Sequence, residues 1–520
     1  MPNAHLTAAR ASDLHTARGR FLYRLFEILP AFLAWGTLIS AVLASWLIPA
    51  FASFFILAFV LYWLLRVLYF AVHLRAAYSI TRKHEKEDWF KRMQALPDWK
   101  RIYHLVVVPT YKEPIEVLRE AFLSLQASDF PKENMIVVLG IEERAGQEGR
   151  KKAQVIQKEF GNEFFRFLVT HHPADMPGEI AGKGSNETWA TKQAKKEIID
   201  LLGIPYENII MSSLDADTVV LPKYFSCLTY YYLTSEDPLR RSYQPVPIFM
   251  NNIWQASVPS RLFAFSTTFW FLMNQERPEK LSTFSSHSMP FKTLVEVGYR
   301  QVNYAVDDSR IFWQCFLHYN GNYSVQPLYY PVSMDANTAP TFLGTVKNIY
   351  KQQQRWAYGV ADIPYFLYGF LQNKNIPLKR KFSLSLDRIE SYWSWATASP
   401  LIFLMGWLPL ALGGEAFTQT LLSYNLPRLT SWLLTIMMAG LVWSVFLSLV
   451  FLPPRPINYG KWHYVWMVLQ WVFLPPIMIF FAIPALDAQT RLLLGKYMGF
   501  WSTPKFREVS SIKAQSSRKP

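Results

Sequence analysis

The 520 residues are 51% hydrophobic and 18% charged, which allows a large core and excludes intrinsic disorder. Fifty-three Lys and Arg against 38 Asp and Glu leave a formal net charge of +15. Most of that excess lies in residues 1–24, 75–104 and 487–520, each beside a long apolar run, which is the pattern of juxtamembrane flanks and argues against a nucleic-acid partner. With only Cys227 and Cys315 there is no disulfide framework.

Residues 1–24 read as a cytoplasmic N-terminal tail. Residues 25–75 are almost unbroken apolar, long enough for two membrane helices, at roughly 25–48 and 52–74, joined by a tight turn at Pro49. Arg10, Arg18, Arg20 and Arg24 precede this hairpin, and Arg75, Arg82, Lys83 and Lys86 follow it. The positive-inside rule keeps both ends in the cytoplasm, so a multi-pass protein of the inner (plasma) membrane is expected, with the next domain cytoplasmic.

Residues 100–345 alternate short apolar strands with amphipathic helices. Strands are expected at 104–109, 134–140, 164–170 and 208–214. Pro114 opens a helix with Val117, Leu118, Ala121, Phe122 and Leu125 on one face, and a second helix covers 148–160. Ser185 is the expected cap of a third, closed by Gly203. The alternation predicts a parallel α/β sheet with helices on both faces and a ligand at the carboxyl ends of its strands. Residues 346–390 read as interfacial helices. Within 391–486, apolar stretches at about 391–413, 429–452 and 463–486 follow. Pro475, Pro476 and Pro484 cut the last into pieces of about ten residues, too short to span, which predicts a re-entrant or interfacial element. Residues 487–520 form a basic cytoplasmic tail.

The fourth strand ends in Asp215-Ala216-Asp217, two carboxylates that suit a hard divalent ion bridging to a diphosphate. No P-loop, G-x-S-x-G or G-x-G-x-x-G is present, which removes the usual ATPase, hydrolase and dinucleotide readings. Three further segments stand in order around the acidic pair: Val106-Val107-Val108-Pro109-Thr110-Tyr111-Lys112-Glu113-Pro114 before it, then Val306-Asp307-Asp308 and Gln352-Gln353-Gln354-Arg355-Trp356. The set resembles the VPTYNEP, DxD, TED and QxxRW motifs of membrane-embedded family 2 glycosyltransferases, the processive cellulose, chitin and hyaluronan synthases.

This resemblance implies a GT-A (Rossmann-like) domain inserted between transmembrane helices. It implies inverting, metal-dependent transfer from a nucleotide-diphosphate sugar, expected to be UDP-linked, that elongates a polysaccharide at the cytoplasmic face and is coupled to export. Asp308 is then the general base, Asp215 and Asp217 hold Mg2+ or Mn2+, and Gln352 and Arg355 meet the donor. Thr110, Glu113, Lys183 and Asn186 join the donor site, as does Glu142, which stands where the family usually carries Asp. Trp356, His287 and Asp307 are assigned to the acceptor. Phe500, Thr503 and Lys505, in Phe500-Trp501-Ser502-Thr503-Pro504-Lys505, are similar to the FxVTxK gating loop of cellulose synthases. The implied partners are the donor, a polysaccharide or lipid-linked acceptor, the bilayer and an accessory export partner. Three alternatives stay open: Asp308 as a helix cap, a single transfer onto a polyprenyl phosphate or other lipid, and a non-catalytic membrane protein.

Overall fold

In the computed structural model, which describes residues 6–457 and 459–507, the first apolar run folds into α1 (Ala17–Leu47) and α2 (Pro49–Lys86). Thr16 Oγ1 caps α1 by accepting from the Gly19 amide at 3.1 Å. Pro49 is the first residue of α2, where its missing N–H costs nothing, and Ile48 alone separates the two helices. Both run farther into their basic flanks than hydropathy marks. Residues 1–5 of the expected N-terminal tail, and the basic tail from 508 onward, lie outside the described residues.

Four strands form the parallel half of the sheet: β1 (Tyr103–Thr110), β2 (Met135–Glu142), β3 (Arg166–His172) and β4 (Ile209–Ser213), in the order β3-β2-β1-β4. Every residue of β2 is buried, as an apolar strand covered on both faces requires. Helices α3 (Ile115–Gln126), α4 (Gly146–Phe160) and α5 (Lys183–Ala194) connect them. The five apolar positions expected on one face of α3 are all buried. Ser185 does not cap α5. That helix starts at Lys183, and the Ser185 hydroxyl donates back to Ile180 O (2.7 Å) and Gly182 O (3.0 Å).

Beyond β4 the sheet is mixed rather than parallel. It continues through β5 (Val219–Val220), β6 (Arg241–Ile248), β7 (Ser288–Pro290) and β8 (Ser324–Ser333), in the order β4-β7-β6-β8-β5. The pairs β4/β7, β6/β7 and β5/β8 are antiparallel. These strands escape a sequence reading for physical reasons. β5 and β7 are two and three residues long, while β6 carries Pro245 and Pro247 and β8 carries Pro327 and Pro331. The ladder between β6 and β8 slips at Gln244/Val246, where such prolines are tolerated.

Three helices then pack on the sheet domain: α6 (Val258–Gln275), α7 (Asp307–His318) and α8 (Phe342–Ala357). They are followed by α9 (Leu378–Ser399), α10 (Leu421–Val450) and α11 (Leu474–Leu493). Among the described residues, five helical stretches are long and apolar enough to cross a membrane: Ala17–Leu47, Pro49–Lys86, Leu378–Leu412, Leu421–Val450 and Trp462–Leu493. The last is one continuous helical run, not the expected ten-residue pieces. Pro475 and Pro476 stand just past the 3-10 turn Gln470–Phe473, where the run passes from one α-helical stretch to the next, and Pro484 is accommodated inside α11. The entry of this run meets the sheet domain and its exit meets the start of α1. Tyr459 and Tyr464 pack on Trp254 at the entry (5.9 and 5.6 Å between rings), and Arg24 donates to Leu492 O (2.8 Å) and Leu493 O at the exit.

The N-terminal segment is tied to the sheet domain by its backbone. Leu6 O accepts from Tyr365 Oη (3.0 Å), Thr7 O from Gln301 Nε2 (2.9 Å) and Ala8 O from Arg310 Nη1 (3.4 Å). Arg310 is fully buried between the rings of Tyr304 and Tyr365 and paired with Asp362 at 2.7 Å. Removing one partner of such a pair leaves an uncompensated buried charge. Arg310→Met should therefore lower stability by about 3–5 kcal/mol, and Arg310→Met/Asp362→Leu should recover most of it, as read by denaturant unfolding of the detergent-solubilised protein.

Candidate active site

The carboxyl ends of β1, β2 and β4 converge on the acidic pair. After β4, Leu214 N still donates to Val107 O (3.0 Å), and Asp215 then leaves the sheet edge. Its Oδ1 meets Lys183 Nζ at 2.7 Å and its Oδ2 accepts from the Ser285 hydroxyl at 2.5 Å. Lys183 opens α5 and also reaches Asp308, at 2.9 Å to Oδ1 and 3.1 Å to Oδ2. The ammonium thus bridges the two carboxylates expected to serve as metal ligand and base. Asp308 is not a cap. Val306 occupies the cap position of α7, so Asp307 and Asp308 fill its first turn, where the helix dipole favours negative charge.

Beneath them lies Arg300, almost completely buried. Its guanidinium makes ion pairs with Glu187 (2.8 Å), Asp307 (3.0 Å) and Asp308 (3.3 Å), and Nη2 lies 3.0 Å from His287 Nε2. The His287 Nδ1–H donates to Phe284 O at 2.7 Å, which leaves Nε2 to accept from Arg300. Both ring nitrogens are therefore used internally, and His287 is wholly buried, so it supports Arg300 where an acceptor contact was expected. Asp307 is likewise turned inward. Gly184 permits this packing, because a Cβ there would stand 2.9 Å from Asp307 Cβ.

Four carboxylates (Glu187, Asp215, Asp307, Asp308) surround two cations (Lys183, Arg300), and the surplus negative charge shows in the titration behaviour. Burial raises the Asp308 carboxyl, but Lys183 and Arg300 overcome it and hold Asp308 well below the usual carboxylate range. Burial opposes the charge on Lys183, yet Asp215 and Asp308 keep it protonated. Glu187, whose second oxygen accepts from Ser213 Oγ at 2.7 Å, is pushed up to about 7 by burial against the pull of Arg300. Burial and then Arg300 depress His287 to about 3, so it is neutral at physiological pH.

The C-terminal segment closes over this cluster. Phe500 lies on Gly182, where a Cβ would stand 2.5 Å from the ring, and beneath the Arg355 guanidinium at 4.9 Å. Lys351 sits over Trp501 at 5.3 Å, and Thr503 is buried with its hydroxyl unpartnered. Lys505 Nζ reaches Asp217 Oδ2 at 2.5 Å. Arg507 then clamps Asp335 (2.5 and 3.0 Å) and also bonds Glu120, while Phe506 O accepts from Thr338 Oγ1 at 2.7 Å. Phe500, Thr503 and Lys505 are therefore all brought to the site.

The remaining expected donor residues line the same edge. Glu113 Oε2 accepts from Thr110 Oγ1 (2.8 Å) and Tyr111 N (2.7 Å), which fixes the loop after β1. Asn186 Nδ2 donates to Gly140 O at 3.0 Å, and a Cβ on Gly140 would stand 2.8 Å from its Oδ1. Glu142 is buried and ion-paired with Arg144, whose guanidinium lies 4.9 Å over the Tyr111 ring. Gln352 Oε1 accepts from Asn337 Nδ2 at 2.9 Å. Trp356 packs between Phe263 (5.4 Å) and Phe249 (6.3 Å). Arg355 Nε is buried without a hydrogen-bond partner, and among the described residues no carboxylate pairs with this guanidinium. Burial lowers its pKa.

Among the described residues no three His, Cys, Asp or Glu side chains form a ligand set. Asp217 Oδ1 is nonetheless buried without a partner, so the acidic pair fits a divalent ion that takes its other oxygens from substrate and water.

No family model and no curated protein matches the chain. Among solved structures, it is similar to the mannosyltransferase PcManGT from Pyrobaculum calidifontis in complex with GDP-Man and Mn2+, at 14% identity over 76% of this chain and 99% of that one, with a TM-score of 0.39. It is also similar to S. aureus TarS 1–349 in complex with UDP, at 12% identity over 66% and 90%, with a TM-score of 0.35. A third is GalNAc-T7 with UDP, GalNAc and Mn2+, at 10% identity over 56% and 58%, with a TM-score of 0.31. At such scores and identities these likenesses carry no argument.

Arg300, Glu187, Ser285, Asp335 and Arg507 are parts of the site that sequence reasoning misses. Glu187 directly follows Asn186, and Arg507 stands two residues past Lys505, so adjacency was the available signal for both. No spacing marks Arg300. Two outcomes follow from the geometry. Lys505→Gln removes the cation that competes for Asp217, so Mn2+ affinity, read as loss of free-ion EPR signal, should rise about tenfold or more. Glu187 has a folded pKa above its ordinary 4.5, so its stabilising contribution is present at low pH and is lost as pH rises through about 7. Thermal unfolding between about pH 5 and about pH 8 should show wild type losing more stability with rising pH than Glu187→Gln.

Proposed function

We propose that this protein is a membrane-embedded glycosyltransferase of the GT-A type. It transfers a sugar with inversion from a nucleotide diphosphate, taken to be UDP, onto a growing polysaccharide at the cytoplasmic face of the inner membrane. The observation that carries this reading is convergence. Residues far apart in sequence meet at the carboxyl edge of one sheet: Lys183 joins Asp215 to Asp308, Lys505 of the C-terminal segment lies on Asp217, and Phe500 of that segment lies against Arg355.

Each side chain has work that its surroundings suit. Asp308 takes the proton of the attacking hydroxyl, and Lys183 and Arg300, acting against burial, keep it ionised for that purpose. Lys183 is shared between Asp215 and Asp308. As the donor diphosphate draws it away, Asp308 gains basicity when an acceptor is to be activated. Arg355, a half-buried cation with no carboxylate partner among the described residues, suits the phosphate oxygens. Asp215 and Asp217 would hold Mg2+ or Mn2+, which neutralises charge on the leaving diphosphate. Trp356 offers an aromatic wall for the acceptor sugar, and Thr110, Glu113, Glu142 and Asn186 form the nucleotide end.

The segment 500–507 acts as the gate. Lys505 occupies the acidic pair when no metal does, and donor with metal displaces it. The exit of the run Trp462–Leu493 meets Arg24 at the start of α1, whose basic flank is taken as cytoplasmic, and this keeps the gate on the side of the site.

A panel of nucleotide sugars with Mn2+ or Mg2+ should release nucleoside diphosphate from at least one donor, and Asp308→Asn should lower that rate by about 10²–10⁴-fold. Release that survives Asp308→Asn removes the assigned base. A product that resists lipid extraction supports the polymer, whereas a single glycolipid species contradicts it.

A further inference from the structure

Arg261 stands in the first turn of α6, whose cap residue is Ser257. It is only 7% exposed, yet its Nε has no hydrogen-bond partner, and its Nη1 lies 3.5 Å from the thioether sulfur of Met467. Among the described residues no carboxylate is within ion-pair distance of it. Arg300 and Arg310, comparably buried, both lie on carboxylates. Burial lowers the Arg261 pKa, and only the Tyr459 hydroxyl opposes this. A buried guanidinium with sulfur as its acceptor is a charge awaiting compensation.

The atoms around it are short of the same kind of partner. The Ser257 hydroxyl is buried, makes no cap bond and has no partner. Gln470 Nε2 also turns to the Met467 sulfur at 3.5 Å, and the Trp471 indole N–H is buried and unpartnered. The side chain at position 261 leans toward the start of its own helix, where Pro259 has no N–H and the Arg261 N–H bonds Ser257 O at 2.9 Å, which leaves the amides of Val258 and Ser260 as the first-turn donors. An anion placed there would accept from the guanidinium, from the Ser257 hydroxyl and from those amides together.

We propose that Arg261, Ser257 and the first turn of α6 bind the phosphate of an anionic membrane lipid. The surroundings identify the source. The connection 451–461, in its described residues, lies against the segment that leads into α6, with Trp254 Nε1 donating to Pro453 O (3.1 Å) and the Trp254 ring against Tyr459 and Tyr464. It joins two of the helices long and apolar enough to cross a bilayer. It carries Arg455 and Lys461 beside the strongly exposed Ile457 and Trp462. Basic groups alternating with exposed apolar and aromatic ones mark a surface at headgroup level. The site shares none of its donors with the acidic cluster, so it stands or falls independently of the proposed transferase activity.

The test uses the full chain in a nonionic detergent, with thermal unfolding and native mass spectrometry as readouts and short-chain phosphatidylglycerol, phosphatidylcholine and inorganic phosphate as probes. Phosphatidylglycerol should raise the Tm of the wild type and persist as a bound adduct, with phosphatidylcholine and inorganic phosphate much weaker. Arg261→Met, which removes an uncompensated buried charge, should be at least as stable as wild type without lipid and should bind phosphatidylglycerol about ten- to hundredfold more weakly. Arg261→Lys, which keeps the charge and loses the fork, should fall between. The proposal is overturned if Arg261→Met keeps wild-type affinity for phosphatidylglycerol, or if that variant and Arg261→Lys both lose stability in the absence of lipid. Binding of inorganic phosphate as tightly as phosphatidylglycerol would overturn the lipid as the source.

Discussion

The carboxylates of Glu187 and Asp307, buried, and of Asp215 and Asp308, half-buried, are gathered around two cations, Lys183 and Arg300, and the carboxyl edge of the sheet is built to keep them there. Like charges packed this closely repel, and desolvation penalises each of them. Close approach is possible because Gly184 leaves room for Asp307, because α7 begins with its dipole toward both aspartates, and because His287 stays neutral and turns its lone pair to Arg300. Negative charge still exceeds positive. Burial, reinforced by Asp307 and Asp308, raises the pKa of Glu187 against the pull of Arg300 and Lys183, and the surplus gives the site its demand for further cations.

That demand is met here from the far end of the chain. Lys505 lies on Asp217 and Arg507 on Asp335, so the segment after α11 crosses the mouth of the site and brings two positive charges with it. Under the proposed function a divalent ion would compete with the tail ammonium for the same carboxylate, which would link metal, donor and gate in one equilibrium. The bulk charge of +15 therefore has two uses. Most of it flanks apolar helices, but part of the basic tail compensates buried carboxylates rather than lipid headgroups.

Local pattern made the parallel half of the sheet and the apolar hairpin legible, since β1 to β4 are apolar runs separated by periodic helices. The other four strands were not legible, because β5 and β7 are too short to show a period and β6 and β8 contain prolines that pairing elsewhere tolerates. Within the site, Asp215, Asp217, Asp308, Lys183 and Lys505 stood in recognisable motifs and do meet in space. Arg300 and Glu187 matter through burial and three-dimensional neighbours, which no spacing encodes. The roles of His287 and Asp307 differ from expectation for the same reason: both lie on the correct segment but face inward. Prolines misled at residues 475 and 476, where a helix start, not a break, receives them.

The central claim is that the acidic pair, covered by its own C-terminal segment, is where a donor diphosphate and its metal bind. A structure determined with Mn2+ and the UDP-sugar that the protein turns over, using the anomalous signal of manganese, addresses it most directly. The account predicts the ion on Asp217, the diphosphate between it and Arg355, and Lys505 moved off the carboxylate. Manganese and nucleotide bound elsewhere, with Lys505 still on Asp217, would contradict it.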